Sequence, residues 1–461
     1  MYIKQFYTNC LAEAAYYIES NGEAVVIDPL RETKPYIELA NKRDAKIKFV
    51  FETHFHADFI SGHIDLANET GADIVFGPSA KADYPIYVAN DSELFSVGDV
   101  KIKVIHTPGH TMESSCFLLI NKEDKDYALF SGDTLFIGDV GRPDLAVKSD
   151  LSKEDLAGHL YDSIFNKIMP LNDSVIVYPG HGAGSQCGKK LSSDKYSTIG
   201  EQKKDNYALL VSDKKEFVNV VTSGLTPPPQ YFPKNATINK TGYSSINSVI
   251  EKSNNALGID EFKSLSNKSN VIIIDSRIST DFADGHIPNS INIGLNGFFA
   301  VWVGTLIKDL NTPILLVTSQ DKEEETILRL ARVGYENVLG FLKDRIDYWG
   351  SMGNKIIKAS TICPIKFNGL SNKNNIIDVS TINEYINGHV NGAVNLPLSD
   401  LLDNLSKISK DAPYYIYCKS GYRSMIALSF LERNGFDKIT NINKGYDGVL
   451  ASEDSCTCSN A

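Results

Sequence analysis

The sequence has no apolar run approaching the roughly 20 residues that a membrane-spanning helix requires. Its first residues, Met1 Tyr2 Ile3 Lys4, lack the basic-then-apolar layout of a secretory signal. Both absences point to a cytoplasmic protein that does not act on a membrane. Positive charge is also scarce. Against 57 Asp and Glu stand 46 Lys and Arg, a formal net charge of −11 with no long basic cluster. That balance disfavours nucleic acid or an anionic membrane as the main partner. Cysteine is sparse and scattered: seven residues, at 10, 116, 187, 363, 418, 456 and 458, odd in number and mostly without paired spacing. Reduced thiols fit such a pattern better than a disulfide framework.

What is present is enough for several folded domains. The 461 residues, 42% of them hydrophobic, can supply two to four packed cores. Seven of the nine His lie before residue 190, and the other two, His286 and His389, sit in matching contexts much later. The first half alternates short apolar strands, such as residues 24–27 and 48–52, with helical stretches such as 63–70, the layout of a layered α/β domain. A prolyl break, Thr226 Pro227 Pro228 Pro229 within residues 224–243, denies helix and central strand alike. It either closes the first domain or opens a linker.

Beyond the break the chain repeats itself. Ile273 Ile274 Asp275, Gly285 His286 Ile287 and Asn292 recur as Ile376 Ile377 Asp378, Gly388 His389 Val390 and Asn395, all at an offset of 103 residues. Residues 313–318 likewise resemble 413–418, and the helix that follows ends at Gly334 in one copy and Gly435 in the other. Such self-similarity predicts two tandem α/β domains with parallel sheets, each long enough to bury its own core. The expected boundaries are 1–245, 255–355 and 365–452, with 453–461 as a solvated tail.

Four clusters in the first domain carry metal chemistry. Thr53 His54 Phe55 His56 Ala57 Asp58 Phe59 places two imidazoles one residue apart after a strand, with a carboxylate two further on. Thr107 Pro108 Gly109 His110 Thr111, Ser131 Gly132 Asp133 Thr134 and Tyr178 Pro179 Gly180 His181 Gly182 each set a possible ligand beside Gly at the end of an apolar run. Ligands from separate strands can thereby converge on one cleft. Spacing alone leaves open whether His54 or His56 ligates. His63, His106 and His159 have no such company and read as ordinary structural imidazoles.

In this order the clusters resemble the metallo-β-lactamase superfamily over about residues 1–245, which implies an αββα sandwich. The superfamily pattern usually continues to a further His serving a second metal, and here that position is Phe59, whose ring has no lone pair to donate. Residues 57–63, Gly138 Asp139 Val140 Gly141 Arg142 Pro143 Asp144 Leu145, and Gly180 His181 Gly182 Ala183 Gly184 Ser185 Gln186 Cys187 Gly188 narrow the likeness further. They resemble the persulfide dioxygenases, sulfur-oxidising relatives of glyoxalase II. The resemblance implies one Fe(II) per chain held by His54, His110 and Asp133, with His56, Asp58 and His181 behind the ligands, facing substrate or serving as alternative ligands. Two imidazoles and one carboxylate form the facial triad of non-haem Fe(II), with positions left for substrate and dioxygen. Arg142 would pair with a carboxylate of the thiol substrate or serve as a surface salt-bridge residue. Cys187 is a possible accessory thiol near the metal, or a packed one.

In the third domain the strand at 414–417 enters Cys418 Lys419 Ser420 Gly421 Tyr422 Arg423 Ser424, and a helical pattern follows. A Cys between a strand end and a helix start sits where backbone N–H groups and the helix dipole favour a thiolate. Cys, four residues, then Arg resembles the active loop of rhodanese sulfurtransferases. Cys418 would be the persulfide-carrying nucleophile, with Gly421 and Arg423 binding substrate. Tyrosine phosphatases place five residues between Cys and Arg, so this shorter loop suits a single sulfur or a small sulfur oxyanion. The middle copy has Thr318 or Ser319 in place of the Cys, followed by Asp321, Lys322, Glu323, Glu324 and Glu325. A hydroxyl is a poor sulfur carrier and an acidic loop repels oxyanions, so this copy is expected to be inactive.

The whole chain resembles the fused persulfide dioxygenase–sulfurtransferase proteins of bacteria. That resemblance implies oxidation of a low-molecular-weight thiol persulfide by dioxygen to sulfite, then sulfur transfer by Cys418 to give thiosulfate, in sulfide detoxification and as a homo-oligomer. The rivals are a dizinc glyoxalase II-like thioester hydrolase with sulfurtransferase domains attached, and a sulfur-relay or persulfide-sensing scaffold without oxygen chemistry.

Overall fold

A computed structural model describes residues 1–146, 151–225 and 227–454. Thr226 of the prolyl break and residues 455–461, with Cys456 and Cys458 of the expected tail, lie outside the described residues. Residues 453 and 454 finish the helix Gly445–Asp454. The five described Cys are all free thiols. The chain divides into two compact units: residues 1–249 together with Leu330–Gly334, and the remainder, in which both copies of the repeat lie together.

Among the described residues the first unit has two six-stranded sheets. One runs Tyr2–Thr8, Glu13–Ser20, Glu23–Ile27, Lys46–Glu52, Asp73–Phe76, Tyr87–Val88 in chain order. It turns from antiparallel to parallel after Glu23–Ile27, because the helices Lys34–Lys42 and His63–Thr70 supply the crossovers that parallel neighbours need. The other sheet places Ser197–Thr198 at one edge, then Ile176–Pro179, Asp126–Gly132, Ser115–Ile120, Val100–His106 and Leu94–Val97.

Strand alternation explains the layering. Glu13–Ser20 is buried along its whole length. Ala14, Tyr16 and Ile18 join Phe51, Phe117 and Phe130 between the sheets, whereas Ala15 and Tyr17 join Tyr36, Val50 and Leu66 under the helices. On the far side Leu118, Leu129 and Val177 pack on Leu160, Ile164 and Phe217. Helix, sheet, sheet, helix is the αββα order expected from the sequence. The four metal-bearing segments begin where Lys46–Glu52, Val100–His106, Asp126–Gly132 and Ile176–Pro179 end. The prolyl break is internal to this unit: the helix Phe232–Thr241 follows it and still belongs there.

Among the described residues the second unit holds two five-stranded, all-parallel sheets of identical topology. Equivalent strands keep the same register, Asp275 opposite Asn292 and Asp378 opposite Asn395. The repeat extends to side chains. Asn292 donates to the carbonyls of Asp275 and Arg277, and Asn395 to those of Asp378 and Ser380. His286 stacks on Phe282 at 3.7 Å and His389 on Tyr385 at 3.8 Å, each with Nδ1 on the carbonyl four residues back. The two late histidines are therefore fastenings of a repeated turn.

Candidate metal centre and cysteine loop

Asp28 begins the hydrogen-bond chain that aims the first ligand. Its carboxylate accepts the Thr53 N–H at 2.7 Å and the Thr53 hydroxyl at 2.8 Å. With its proton spent on Asp28, the Thr53 oxygen accepts from Nδ1–H of His54 at 3.0 Å, which leaves the Nε2 lone pair facing Asp133. His110 follows the same logic: Nδ1 faces the Arg142 carbonyl at 2.9 Å, and Nε2 lies 3.5 Å from Asp133 Oδ2. His181 turns Nδ1 to the Ala12 carbonyl at 3.2 Å and Nε2 to Asp58 and Asp133 at 3.3 and 3.6 Å. Fixing one imidazole nitrogen so that the other can ligate is the usual outer-shell device of metal sites.

Burial, then the neighbouring imidazoles of His56, His110 and His181, hold His54 well below the ordinary histidine range, in the neutral form a metal requires. Both Asp133 carboxylate oxygens and the His181 Nε2 are buried with no hydrogen-bond partner. Orphaned buried carboxylate oxygens are costly, and a cation among these lone pairs satisfies them. Gly180 permits the approach, since a Cβ there would stand 2.8 Å from Asp133 Oδ1.

Among the described residues three donor triads form, each with its donor atoms within 4.8 Å of one another: His54, His110 and Asp133; Asp58, His181 and Cys187; Asp28, Glu52 and His56. Spacing did not choose between His54 and His56, and the geometry groups His54 with His110 and Asp133. His56 faces away, its Nε2 3.1 Å from Asp28 and 3.5 Å from Glu52. Burial opposes its charge, but Asp28, Glu52 and Asp58 outweigh this and raise its pKa to about 10. Phe59 is fully buried with its ring 4.4 Å from that of His56. It supplies no ligand, yet Cys187 joins Asp58 and His181 nearby, so donors for a second ion are not missing altogether. The Cys187 thiol is buried, and burial with Asp58 and Asp133 pushes its pKa well up.

Arg142 is placed differently from a substrate-facing arginine. It is buried, with Nε and Nη2 donating to Asp144 at 2.7 Å each and Nη1 to the Gln186 carbonyl. These bonds fasten the glycine-rich loop to the turn that carries Cys187. His63 is structural, as expected: Tyr84 and Glu52 flank it, and burial with His56 and Arg31 pushes its pKa down to about 3.

Asn239 carries no sequence signature. Buried on Phe232–Thr241, it donates to the carbonyls of His56 at 2.7 Å and Phe59 at 2.8 Å and accepts from the Ser61 N–H at 3.0 Å. One amide thus holds the ligand loop from a helix some 180 residues away. No local pattern marks it, because only its long-range partners distinguish it from any other helical Asn.

In the second unit Cys418 follows the strand Tyr414–Tyr417 and precedes the helix Tyr422–Arg433. Its buried Sγ accepts the Gly421 N–H at 3.2 Å, and Gly421 takes φ 97°, which closes the loop onto the helix. Tyr446 N–H holds the Cys418 carbonyl at 2.8 Å. Arg423 reaches Glu384 through both terminal nitrogens, at 2.6 and 2.7 Å. The Tyr422 ring rests over Gly297 of the other copy, with its hydroxyl on the Gly294 carbonyl at 2.7 Å. In the middle copy the Thr318 hydroxyl donates to Glu323, a loop with neither thiol nor arginine.

Residues 8–181 match the family model of the metallo-beta-lactamase superfamily, and residues 258–351 and 365–452 each match that of the rhodanese-like domain. Curated relatives include a probable hydroxyacylglutathione hydrolase of Schizosaccharomyces pombe, 30% identical over 38% of this chain and 64% of its own length. A cytoplasmic hydroxyacylglutathione hydrolase of Arabidopsis thaliana is 32% identical over 39% of this chain and 67% of its own length. The chain thus spans about two-thirds of these relatives. A solved metallo-beta-lactamase from Staphylococcus aureus is 31% identical, with a TM-score of 0.65, covering 74% of this chain and 98% of that one.

Proposed function

The chain belongs to the metallo-beta-lactamase superfamily and carries two rhodanese-like domains behind that fold, and from this premise we propose that it is a persulfide dioxygenase coupled to a sulfurtransferase. The observation that carries the proposal is the diversion of His56 to Asp28 and Glu52, which leaves His54, His110 and Asp133 as a two-imidazole, one-carboxylate triad. Such a triad suits a single Fe(II) with open positions. When bound there, the ion supplies the redox chemistry that joins dioxygen to the outer sulfur of a persulfide.

The chain's own groups do the rest. Thr53, the Arg142 carbonyl and the Ala12 carbonyl fix the tautomers of His54, His110 and His181. Asp58, beside His181, stands where protons from water can be taken up. Burial holds the Asp58 carboxyl above its ordinary pKa, although His181 and His56 oppose that shift. The overall change is persulfide, dioxygen and water to free thiol, sulfite and two protons.

The Cys418 thiolate then attacks the outer sulfur of a second persulfide and releases its thiol. Sulfite takes that sulfur from the Cys418 persulfide, giving thiosulfate and restoring the thiolate. The substrates proposed are therefore a low-molecular-weight thiol persulfide, dioxygen and sulfite, in sulfide detoxification. Among the described residues no helix is long and apolar enough to cross a membrane.

A second reading rests on a specific observation. Asp58, His181 and Cys187 form a further donor triad, and the curated relatives are named hydroxyacylglutathione hydrolases, so a two-metal thioester hydrolase is the rival. Iron-loaded protein given a synthetic persulfide separates the two when oxygen, sulfite and thiosulfate are followed. Wild type is expected to accumulate thiosulfate, and Cys418→Ser to consume oxygen but stop at sulfite. Thioester hydrolysis without oxygen uptake would establish the rival instead.

A further inference from the structure

The Cys418 loop carries an arginine that is already engaged. Arg423 gives both terminal nitrogens to Glu384, at 2.6 and 2.7 Å, and it lies in the same loop as Cys418, one residue into the helix that follows Gly421. A fork-to-fork pair of this kind is the arrangement a guanidinium would otherwise offer to an oxyanion. Glu384 therefore stands where two oxygens of sulfite or thiosulfate would bind, and its charge cancels most of the attraction Arg423 would exert on an anion at the sulfur.

Glu384 is itself held in place. It is the third residue of the helix Ile382–Asn387, where Oε2 accepts from the Thr381 N–H at 2.9 Å and hydroxyl at 2.8 Å in a reciprocal capping box. The silent copy keeps an acid at the matching turn, Asp281, but has Glu323 where the loop arginine would be. The arginine–glutamate pair thus accompanies the nucleophile and is lost with it.

We propose that Glu384 is a specificity-determining residue of the Cys418 loop: by occupying the fork of Arg423 it weakens the resting affinity of the loop for sulfur oxyanions. The inference rests on the reading of Cys418 as a sulfur carrier and deepens it. In the step concerned, a sulfite lone pair attacks the outer sulfur of the Cys418 persulfide, the sulfur–sulfur bond breaks, and its electron pair stays on Cys418 as thiolate. Thiosulfate then faces a guanidinium already paired, and it leaves instead of occupying the loop or reloading the cysteine.

The test uses the full-length protein with persulfide as donor and sulfite as acceptor. Thiosulfate as donor to cyanide serves as the reverse assay. Glu384→Gln removes the charge while Gln still completes a capping box. Glu384→Asp keeps the charge at a helix position where Asp155, at the third residue of its own helix, also closes a box. Uptake of one sulfur atom by Cys418 is read by mass spectrometry in every variant.

The expected result is a KM for sulfite and for thiosulfate about tenfold lower in Glu384→Gln, the weight of one screened charge interaction, with Glu384→Asp close to wild type. Unchanged or raised oxyanion KM in Glu384→Gln, with sulfur still loaded on Cys418, overturns the role of Glu384 alone. Failure of wild-type Cys418 to take up sulfur overturns the carrier reading, and this inference with it.

Discussion

His56 Nε2 lies 3.1 Å from Asp28 Oδ1, while the Thr53 hydroxyl, bonded to the other oxygen of Asp28, holds His54 toward Asp133. One buried carboxylate therefore sorts two histidines, one residue apart, into different duties. Replacing His54, His110 or Asp133 by Ala is expected to abolish stoichiometric metal binding. His56→Gln should retain the metal with affinity lowered by about 10- to 100-fold, the range for outer-shell partners. Metal content by mass spectrometry after equilibrium dialysis distinguishes the two classes, and loss of all metal in His56→Gln would place His56 among the ligands.

Asn239 makes three hydrogen bonds to the ligand loop. Truncation to Ala leaves two carbonyls and one N–H buried without partners, so Asn239→Ala should destabilise the first unit by about 2–4 kcal/mol. Urea unfolding measures this, and retained stability would mean that water replaces the amide.

Much of this site was legible because ligands come in short local signatures: an imidazole or carboxylate beside Gly at a strand end. The repeat was legible for the same reason, and its Asp, Gly-His and Asn markers fall at equivalent places in two identical sheets. Pairings across long separations were not. Asn239 with His56, Asp28 with Thr53 and Glu384 with Arg423 are 183, 25 and 39 residues apart, and although His56 and Arg423 sit in local signatures, nothing in those signatures marks their partners. Arg142 shows the converse. Its basic side chain in a glycine-rich loop left a substrate contact and a salt bridge both open, and the fold pairs it with Asp144 only two residues on.

The Glu384–Arg423 pair has a definite pH signature. Burial opposes ionisation of Glu384, but hydrogen bonding and attraction to Arg423 dominate, with Thr381 assisting, and hold its pKa at about 2, below the ordinary 4.5. A depressed acid stabilises the fold fully above its unfolded pKa and loses that contribution as pH falls through the folded value. The stability difference between wild type and Glu384→Gln should therefore be constant from about pH 6 to 8 and shrink between about pH 4.5 and 2. Denaturant unfolding across that range checks it, and a difference growing toward low pH would contradict the assigned sign.

A Cβ on Gly297 would meet the Tyr422 ring at 2.4 Å, too close for any side chain. Gly297→Ala must displace Tyr422, next to Arg423 in the cysteine loop, and should cost about 1–3 kcal/mol as an overpacked contact. Sulfur transfer by Cys418 is expected to fall while metal content stays unchanged. Full transfer activity in Gly297→Ala would show that the silent copy does not support the loop through this contact.

The central claim is oxygen chemistry at a triad of His54, His110 and Asp133, and oxygen uptake tests it most directly. Protein loaded with one equivalent of Fe(II) and given a thiol persulfide should consume one dioxygen for each sulfite formed when Cys418 is replaced by Ser. Zinc-loaded protein should consume none. No oxygen uptake by the iron-loaded protein, with thioester hydrolysis supported by two zinc ions per chain, would contradict the account.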